Sequence, residues 1–352
     1  MSAAETMPPP DLPRTNPDLL GHEAAEQRLF EAWRSGRLPH AWLLTGPRGV
    51  GKATLAYRFA RFVLAGGKES PTASPLYLAP ETPIFQRTAV GSHGDLLVIE
   101  SDNEEGRKRN LREISVKESR RIGPFLSMTA AEGGWRVVVI DSADEMNRAA
   151  GNAILKLLEE PPSKALLLLV SHNPGRVLPT IRSRCRHLAL RPLNEETMGR
   201  LLQSQQPDLE PDTRNALIGL AEGSIGNALR LIAEGGLDLY EELLGFLNAL
   251  PDLDVPALHD FAGRLSGPRA GESWFVVSDL LSQWLANRIK GRALGSHMPE
   301  IPDGANLAEW VEVWEKINRL SVEAKYSHLD RKQVLLNVFH TLEGAVRQPA
   351  AV

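Results

Sequence analysis

The stretch Ala41-Trp42-Leu43-Leu44-Thr45-Gly46-Pro47-Arg48-Gly49-Val50-Gly51-Lys52-Ala53-Thr54 decides the fold. A short apolar strand, Ala41–Leu44, runs into a glycine-rich loop, and a helical pattern opens at Lys52. That is the context of a phosphate-binding P-loop. Gly46, Gly49 and Gly51 let backbone N–H groups cradle phosphates, Lys52 reaches the β- and γ-phosphates, and the helix N-terminus favours negative charge. The position after the lysine, whose Ser or Thr hydroxyl binds Mg²⁺, is Ala53. Thr54 lies about 100° further around the helix, a poor substitute.

The rest of the chain sets the frame for this loop. Its 352 residues suit two or three domains, and 42% hydrophobic with 24% charged residues is the composition of an ordinary globular protein. A net charge of −4 places any nucleic-acid contact on a local patch rather than on the whole surface. One cysteine, Cys185, excludes an intramolecular disulfide and a multi-cysteine zinc site. No apolar run is long enough for a membrane span, which makes the cytoplasm the expected location. Residues 1–18 are proline-rich and read as a disordered leader.

From residue 20 to about 190 strands alternate with helices. Apolar runs at Ala41–Leu44, Asp95–Glu100, Trp135–Ile140, Ala165–Ser171 and Arg186–Leu190 read as strands buried on both faces. Helical patterns lie at Glu23–Ser35, Lys52–Ala65, Val116–Thr129 and Arg148–Leu158. The alternation predicts a doubly wound parallel α/β domain over 19–191, with a Pro/Gly/Ser-rich insertion at 66–94. Strand signals then stop. Helices at Glu195–Gln205, Pro211–Glu222 and Ile225–Ala233 predict a small helical lid over 192–237, and 238–352 a second, all-helical domain. The segment Asn103–Arg121 holds seven Lys/Arg against four Glu, which reads as a solvated face or as a surface that tracks a nucleic-acid backbone.

Val137-Val138-Val139-Ile140-Asp141 is an apolar strand ending in a carboxylate that can reach a Mg²⁺ ion beside the P-loop. Active ATPases of this type place Glu next, to polarise the attacking water. Ser142 stands there instead and has no group to act as a base. Asp144 and Glu145 are expected one turn on, as carboxylates capping a helix start.

Asn152-Ala153-Ile154-Leu155-Lys156-Leu157-Leu158-Glu159-Glu160-Pro161-Pro162 and Ser183-Arg184-Cys185 resemble the helix and the Ser-Arg-Cys motif of bacterial clamp-loader AAA+ subunits. Leu38-Pro39-His40, Gly46–Lys52 and Asp141–Asp144 agree, so the resemblance spans roughly residues 20–235. It implies an AAA+ domain, a lid and a helical collar in a hetero-oligomer. The implied partners are a gamma/tau-type motor subunit, a delta subunit, indirectly the sliding clamp, and primer–template DNA, with no membrane. It also implies that Arg184 is a catalytic finger offered in trans, where a guanidinium stabilises transition-state charge on a neighbour's γ-phosphate. The bland alternative is a structural arginine paired with a carboxylate. Cys185 is expected to start a strand as a small buried apolar group.

Two further family positions bear on the chain's own site. The sensor arginine of active motors follows a Gly-Ser-Leu element; here the match is Gly223-Ser224-Ile225-Gly226, and Arg230 is one helical turn too far. The first sensor position aligns with His172, beside Asn173. The four-cysteine zinc module of some family members is absent, so no zinc is expected. His22 and His40 fall near the adenine pocket the resemblance implies, or serve the core. Trp310 and Trp314, four apart, read as helix packing rather than a base-stacking platform.

Two function classes follow. One is a structural arm of the DNA polymerase III holoenzyme that does not hydrolyse ATP itself. The other is an active AAA+ ATPase, either the clamp-loader motor or a helicase-loading relative; a small-molecule P-loop kinase fits worse. Ala53, Ser142 and Gly226 together favour the arm. Lys52, the three glycines and Asp141 leave ATP binding, with or without Mg²⁺, open.

Overall fold

The computed structural model describes residues 12–68, 74–100, 113–132, 134–267, 270, 272–294, 307–326 and 329–347. They fall into two compact units, which divide between Gly226 and Asn227.

The first unit is built on five parallel strands: β1 (Ala41–Thr45), β2 (Leu96–Ile99), β3 (Arg136–Ile140), β4 (Ala165–Ser171) and β5 (Arg186–Ala189). Their order is β2-β3-β4-β1-β5. All five lie where the apolar runs predict strands, because a strand covered on both faces needs apolar side chains at successive positions. β4 is buried along its whole length. The two-residue period sorts the side chains into two layers. Trp42, Leu44, Val137, Val139, Leu166, Leu168 and Val170 pack on one face against α1 (Glu23–Arg34) and α2 (Lys52–Leu64). Ala41, Leu43, Val138, Ile140, Leu167 and Leu169 pack on the other, together with Ile122, Leu126, Ile154 and Leu158.

Between α2 and β5 run α3 (Pro83–Ala89), α4 (Val116–Arg120), α5 (Ile122–Ser127), α6 (Arg148–Glu159) and α7 (Pro179–Arg182). The helix expected over Val116–Thr129 is two helices. Pro124 lacks an N–H and its ring crowds the carbonyl of residue 120, where α4 stops. Where the 66–94 stretch is described it is packed: α3 buries Phe85, Thr88 and Ala89, and Leu76 joins the core. The leader also needs correcting. Residues 1–11 lie outside the described residues, but Thr15 is buried, and the carbonyls of Arg14 and Asn16 accept from the Arg61 guanidinium at 2.9 and 2.8 Å. Arg61 lies over the Phe85 ring at 4.3 Å, so it ties the incoming chain to α2 and α3. A backbone held this way is not disordered.

The unit ends with α8 (Glu195–Gln205) and α9 (Pro211–Ala221), and α10 (Ile225–Ala233) carries the chain across the division. The second unit is all helical among its described residues: α11 (Gly236–Asn248), α12 (Val255–Ser266), α13 (Ser273–Ala293), α14 (Leu307–Tyr326) and α15 (Arg331–Arg347). α13 forms its axis. Trp274, Val276, Val277, Leu280, Leu281, Trp284 and Leu285 are all buried, so this helix is apolar around most of its circumference. Trp310 is buried, and the Trp314 indole N–H donates to the Ser282 carbonyl at 3.1 Å, the packing role expected of both. Among the described residues no helix is long and apolar enough to cross a membrane.

Candidate functional site

The carboxyl ends of β1, β4 and β3 lie side by side, with Thr45 paired to Ser171 and Ile140 to Leu169. A parallel sheet presents ligands at this edge. The P-loop leaves β1 here, Asp141 follows β3, and His172 follows β4. The register therefore gathers Gly46 and His172, 126 positions apart in the chain.

The loop itself is tightly cornered. Gly46 has φ 144°, and a Cβ there would stand 2.3 Å from the Leu190 carbonyl oxygen, so only glycine lets β1 turn beside β5. Five successive carbonyls of the loop are bonded within the unit. The Lys52 ammonium donates to those of Gly46 (2.8 Å) and Pro47 (2.5 Å). The Ser224 hydroxyl donates to Arg48 (2.8 Å), the Gly226 N–H to Gly49 (3.0 Å), and His22 Nε2 to Val50 (2.7 Å). His22 must carry its proton on Nε2 for that bond, and burial lowers its pKa, so it serves as a neutral donor that props the loop. His40 bonds the Leu158 carbonyl at 3.0 Å, also a structural contact.

Lys52 is 3% exposed. Burial brings its pKa down to about 8, against the opposing pull of Asp141 and Asp144. Asp141 moves the other way, up to about 6, through burial first and the neighbouring Glu100 second. Tyr57 O–H donates to that Glu100 at 3.3 Å. Ala53 and Thr54 are the second and third residues of α2. Ala53 offers no oxygen, and Thr54 is buried. The glycine loop and Lys52 could hold phosphate groups. The hydroxyl that would complete a Mg²⁺ site is missing, and among the described residues no three or more His, Cys, Asp and Glu side chains cluster as metal ligands.

Beyond Asp141 the polar groups pair with one another. Ser142 sits in the left-handed region at φ 67°, and its hydroxyl lies 3.2 Å from His172 Nε2. Ser142 and His172 thus form a hydrogen-bonded pair next to Asp141. Asp144 does not cap a helix start; Asn147 does that for α6, accepting from the Ala150 N–H at 2.8 Å. Asp144 instead accepts from the N–H groups of His172 (3.0 Å) and Asn173 (3.2 Å), clamping the end of β4 to that of β3. Gly226 touches the P-loop directly: a Cβ there would be 2.7 Å from Gly49 Cα. Arg230 pairs with Asp279 at 2.6 Å inside the second unit.

Arg184 follows α7 and is about one-third exposed. Its Nη1 donates to the Thr180 carbonyl at 2.9 Å, and its Nη2 pairs with Glu159 at 2.6 Å. Cys185 precedes β5 and is buried in the second core layer, where burial lifts its thiol pKa to about 12. Residues 103–112 of the basic segment lie outside the described residues; in its remainder, Arg121 pairs with Glu118 on α4. Sequence reasoning missed Glu100 and Tyr57 as members of the site, and the bond of the Ser224 hydroxyl to the loop. A Glu at the end of β2 was the one available signal, since β2 ends at the same edge as Asp141.

The family model described as DNA polymerase III, delta subunit, matches residues 21–194. The DNA polymerase III subunit delta' of Pseudomonas aeruginosa is 32% identical over 287 residues, 81% of this chain and 81% of that protein. The DNA polymerase III subunit gamma/tau of Mycobacterium bovis is 31% identical over 276 residues, 76% of this chain. The chain spans about half the length of that gamma/tau relative, 46%. A solved structure of a gamma subunit-related protein from Thermotoga maritima covers 91% of this chain and 100% of its own, at 18% identity and a TM-score of 0.47. On sequence identity and coverage together, the chain belongs to the delta-prime family of DNA polymerase III clamp-loader subunits.

Proposed function

We propose that this chain is a non-hydrolysing arm of a cytoplasmic clamp loader. It assembles with a gamma/tau-type motor subunit and a delta subunit through a helical collar over 238–352, with 19–191 as nucleotide-type domain and 192–237 as lid. It offers Arg184 in trans to the motor's nucleotide while the sliding clamp is placed on primer–template DNA. The observation that carries the non-hydrolysing half is the contact of Gly226 with Gly49, where a Cβ has 2.7 Å to the nearest backbone atom. At this backbone no side chain fits the sensor position. Charge developing on a γ-phosphate would meet neither a sensor guanidinium nor a carboxylate base at Ser142, each of which supplies several kcal/mol to such a barrier. ATP held by Lys52 and the glycine loop would then be bound without being turned over. The finger half rests on Arg184: its guanidinium is partly exposed, and its ion-pair partner is itself half exposed.

ATP turnover by the isolated chain, and by the reconstituted loader with and without Arg184→Ala, tests both halves. The isolated chain is expected to be inactive. Arg184→Ala is expected to leave melting and assembly intact and to lower the loader's DNA-stimulated ATPase. The loss at the one completed site is ~10³-fold, diluted in the whole complex by the other sites. Turnover by the isolated chain near ~10 s⁻¹ that Lys52→Ala abolishes would refute the first half. A lowered melting temperature with unchanged ATPase per assembled complex would refute the second.

A further inference from the structure

We infer that Glu159 is a placeholder carboxylate: it occupies Nη2 of Arg184 until the phosphate of a neighbouring subunit's nucleotide displaces it. The inference rests on Arg184 being a finger offered in trans.

Three observations carry it. The first is the division of labour on the guanidinium. Nη1 is tied to the backbone carbonyl of Thr180 at 2.9 Å, which fixes the side chain's direction, while Nη2 meets Glu159 Oε1 at 2.6 Å. The end that faces a carboxylate now has the planar geometry that would face a phosphate later.

The second is where Glu159 sits. It is the last residue of α6, followed by Glu160. A helix C-terminus carries partial negative charge, so a carboxylate there is disfavoured by its own helix. The compensating interaction is Arg184, and the pair is half exposed on the carboxylate side, 49%, and one-third exposed on the guanidinium side, 34%. Exposed pairs contribute little to folding, which makes this one cheap to exchange.

The third is charge. Between Pro161 and Asn194 the sequence holds Lys164, Arg176, Arg182, Arg184, Arg186 and Arg191, and no Asp or Glu. The turn that carries the finger is therefore cationic, and a carboxylate at its edge holds Arg184 in one orientation amid like charges. A terminal phosphate brings more charge and three acceptor oxygens to the same nitrogen, so it outcompetes one carboxylate.

The test is steady-state ATPase of the reconstituted loader with Glu159→Gln, which keeps a carbonyl for Arg184 but removes the competing charge. Competition in the ground state changes binding alone. The motor site's KM for ATP is expected to fall about two- to fivefold, the range set by one exposed ion pair, with kcat unchanged. In an Arg184→Ala background the same substitution is expected to change nothing further. An unchanged or raised KM, a fall in kcat, a melting change without a KM change, or an effect that persists without Arg184 would each overturn the inference. If Arg184→Ala itself leaves the ATPase intact, the finger assignment falls and this inference with it. If Arg184→Ala lowers the ATPase while Glu159→Gln is silent, this inference alone falls.

Discussion

Gly226→Ala is the sharpest test of how the P-loop is held, because two effects of known size oppose each other there. Gly226 is the second residue of α10 and its φ is not positive, so alanine is allowed by the backbone and gains up to ~1 kcal/mol of helix propensity, less in a first turn. Against this, the new Cβ would lie 2.7 Å from Gly49 Cα and 3.3 Å from the Gly49 carbonyl oxygen. Carbon atoms in contact prefer about 3.5–4.0 Å, so backbone must move by nearly ~1 Å. Neither side yields easily: the Ser224 hydroxyl bonds the Arg48 carbonyl at 2.8 Å, and the Leu193 N–H bonds the Gly223 carbonyl at 2.8 Å. Overpacking of this kind costs ~1–3 kcal/mol, and stretching the Gly226–Gly49 hydrogen bond costs ~1 kcal/mol more. The net expectation is a loss of ~1–3 kcal/mol, which in a unit of this size lowers the melting temperature by about 3–10 °C. Calorimetry beside Gly219→Ala calibrates the result. Gly219 lies in α9 with nothing within 4 Å of its Cβ position, so propensity acts alone and that variant should gain stability. A Gly226→Ala protein as stable as wild type, or shifted upward like Gly219→Ala, would refute the close contact and the argument that no side chain fits the sensor position.

Two further outcomes follow from buried charge. Asp141→Asn should stabilise the chain at pH 8 and lose most of that gain by pH 4. The folded carboxyl has its pKa raised from 3.8 to about 6, so its charged form is penalised above that range and the penalty disappears as the group protonates on acidification. The difference is at most ~3 kcal/mol, and parallel thermal melts of both proteins across that pH range read it directly. An Asn variant that is less stable at pH 8 would mean that attraction to Lys52 outweighs burial. Glu26→Ala should cost ~3–5 kcal/mol, because Glu26 and Arg58 pair at 2.7 Å with both side chains 2% exposed, and removing one strands the other. Urea titration should show the loss, and adding Arg58→Met should recover part of it; no loss in the single variant would contradict the buried pair.

The α/β half was legible for a simple reason. A strand covered on both faces must be apolar at every position, and Ala41–Thr45, Arg136–Ile140 and Ala165–Ser171 carry little else. The break between α4 and α5 was readable in principle from Pro124. The order of Arg14–Asn16 was not, because the groups that hold those carbonyls are on Arg61, 45 residues or more away. Asp144 illustrates the same limit. Its place after a strand suggested a helix cap, yet the amides it serves belong to His172 and Asn173, which only the pairing of β3 with β4 brings within reach.

What the sequence determined by itself was chemistry that is local in the chain: a glycine loop between strand and helix, a carboxylate ending a strand, and the absence of a hydroxyl at Ala53, a base at Ser142 and a guanidinium at Gly226. Each depends on residue type at a spacing of a few positions, and spacing is what a sequence displays. Tertiary structure alone decided what those residues touch. It set Gly226 against Gly49, Ser142 against His172, Glu100 beside Asp141, and Glu159 on Arg184. The contacts at the ends of β2, β3 and β4 depend on register between strands that are distant in the chain, and register is set by the summed packing of two core layers rather than by any motif.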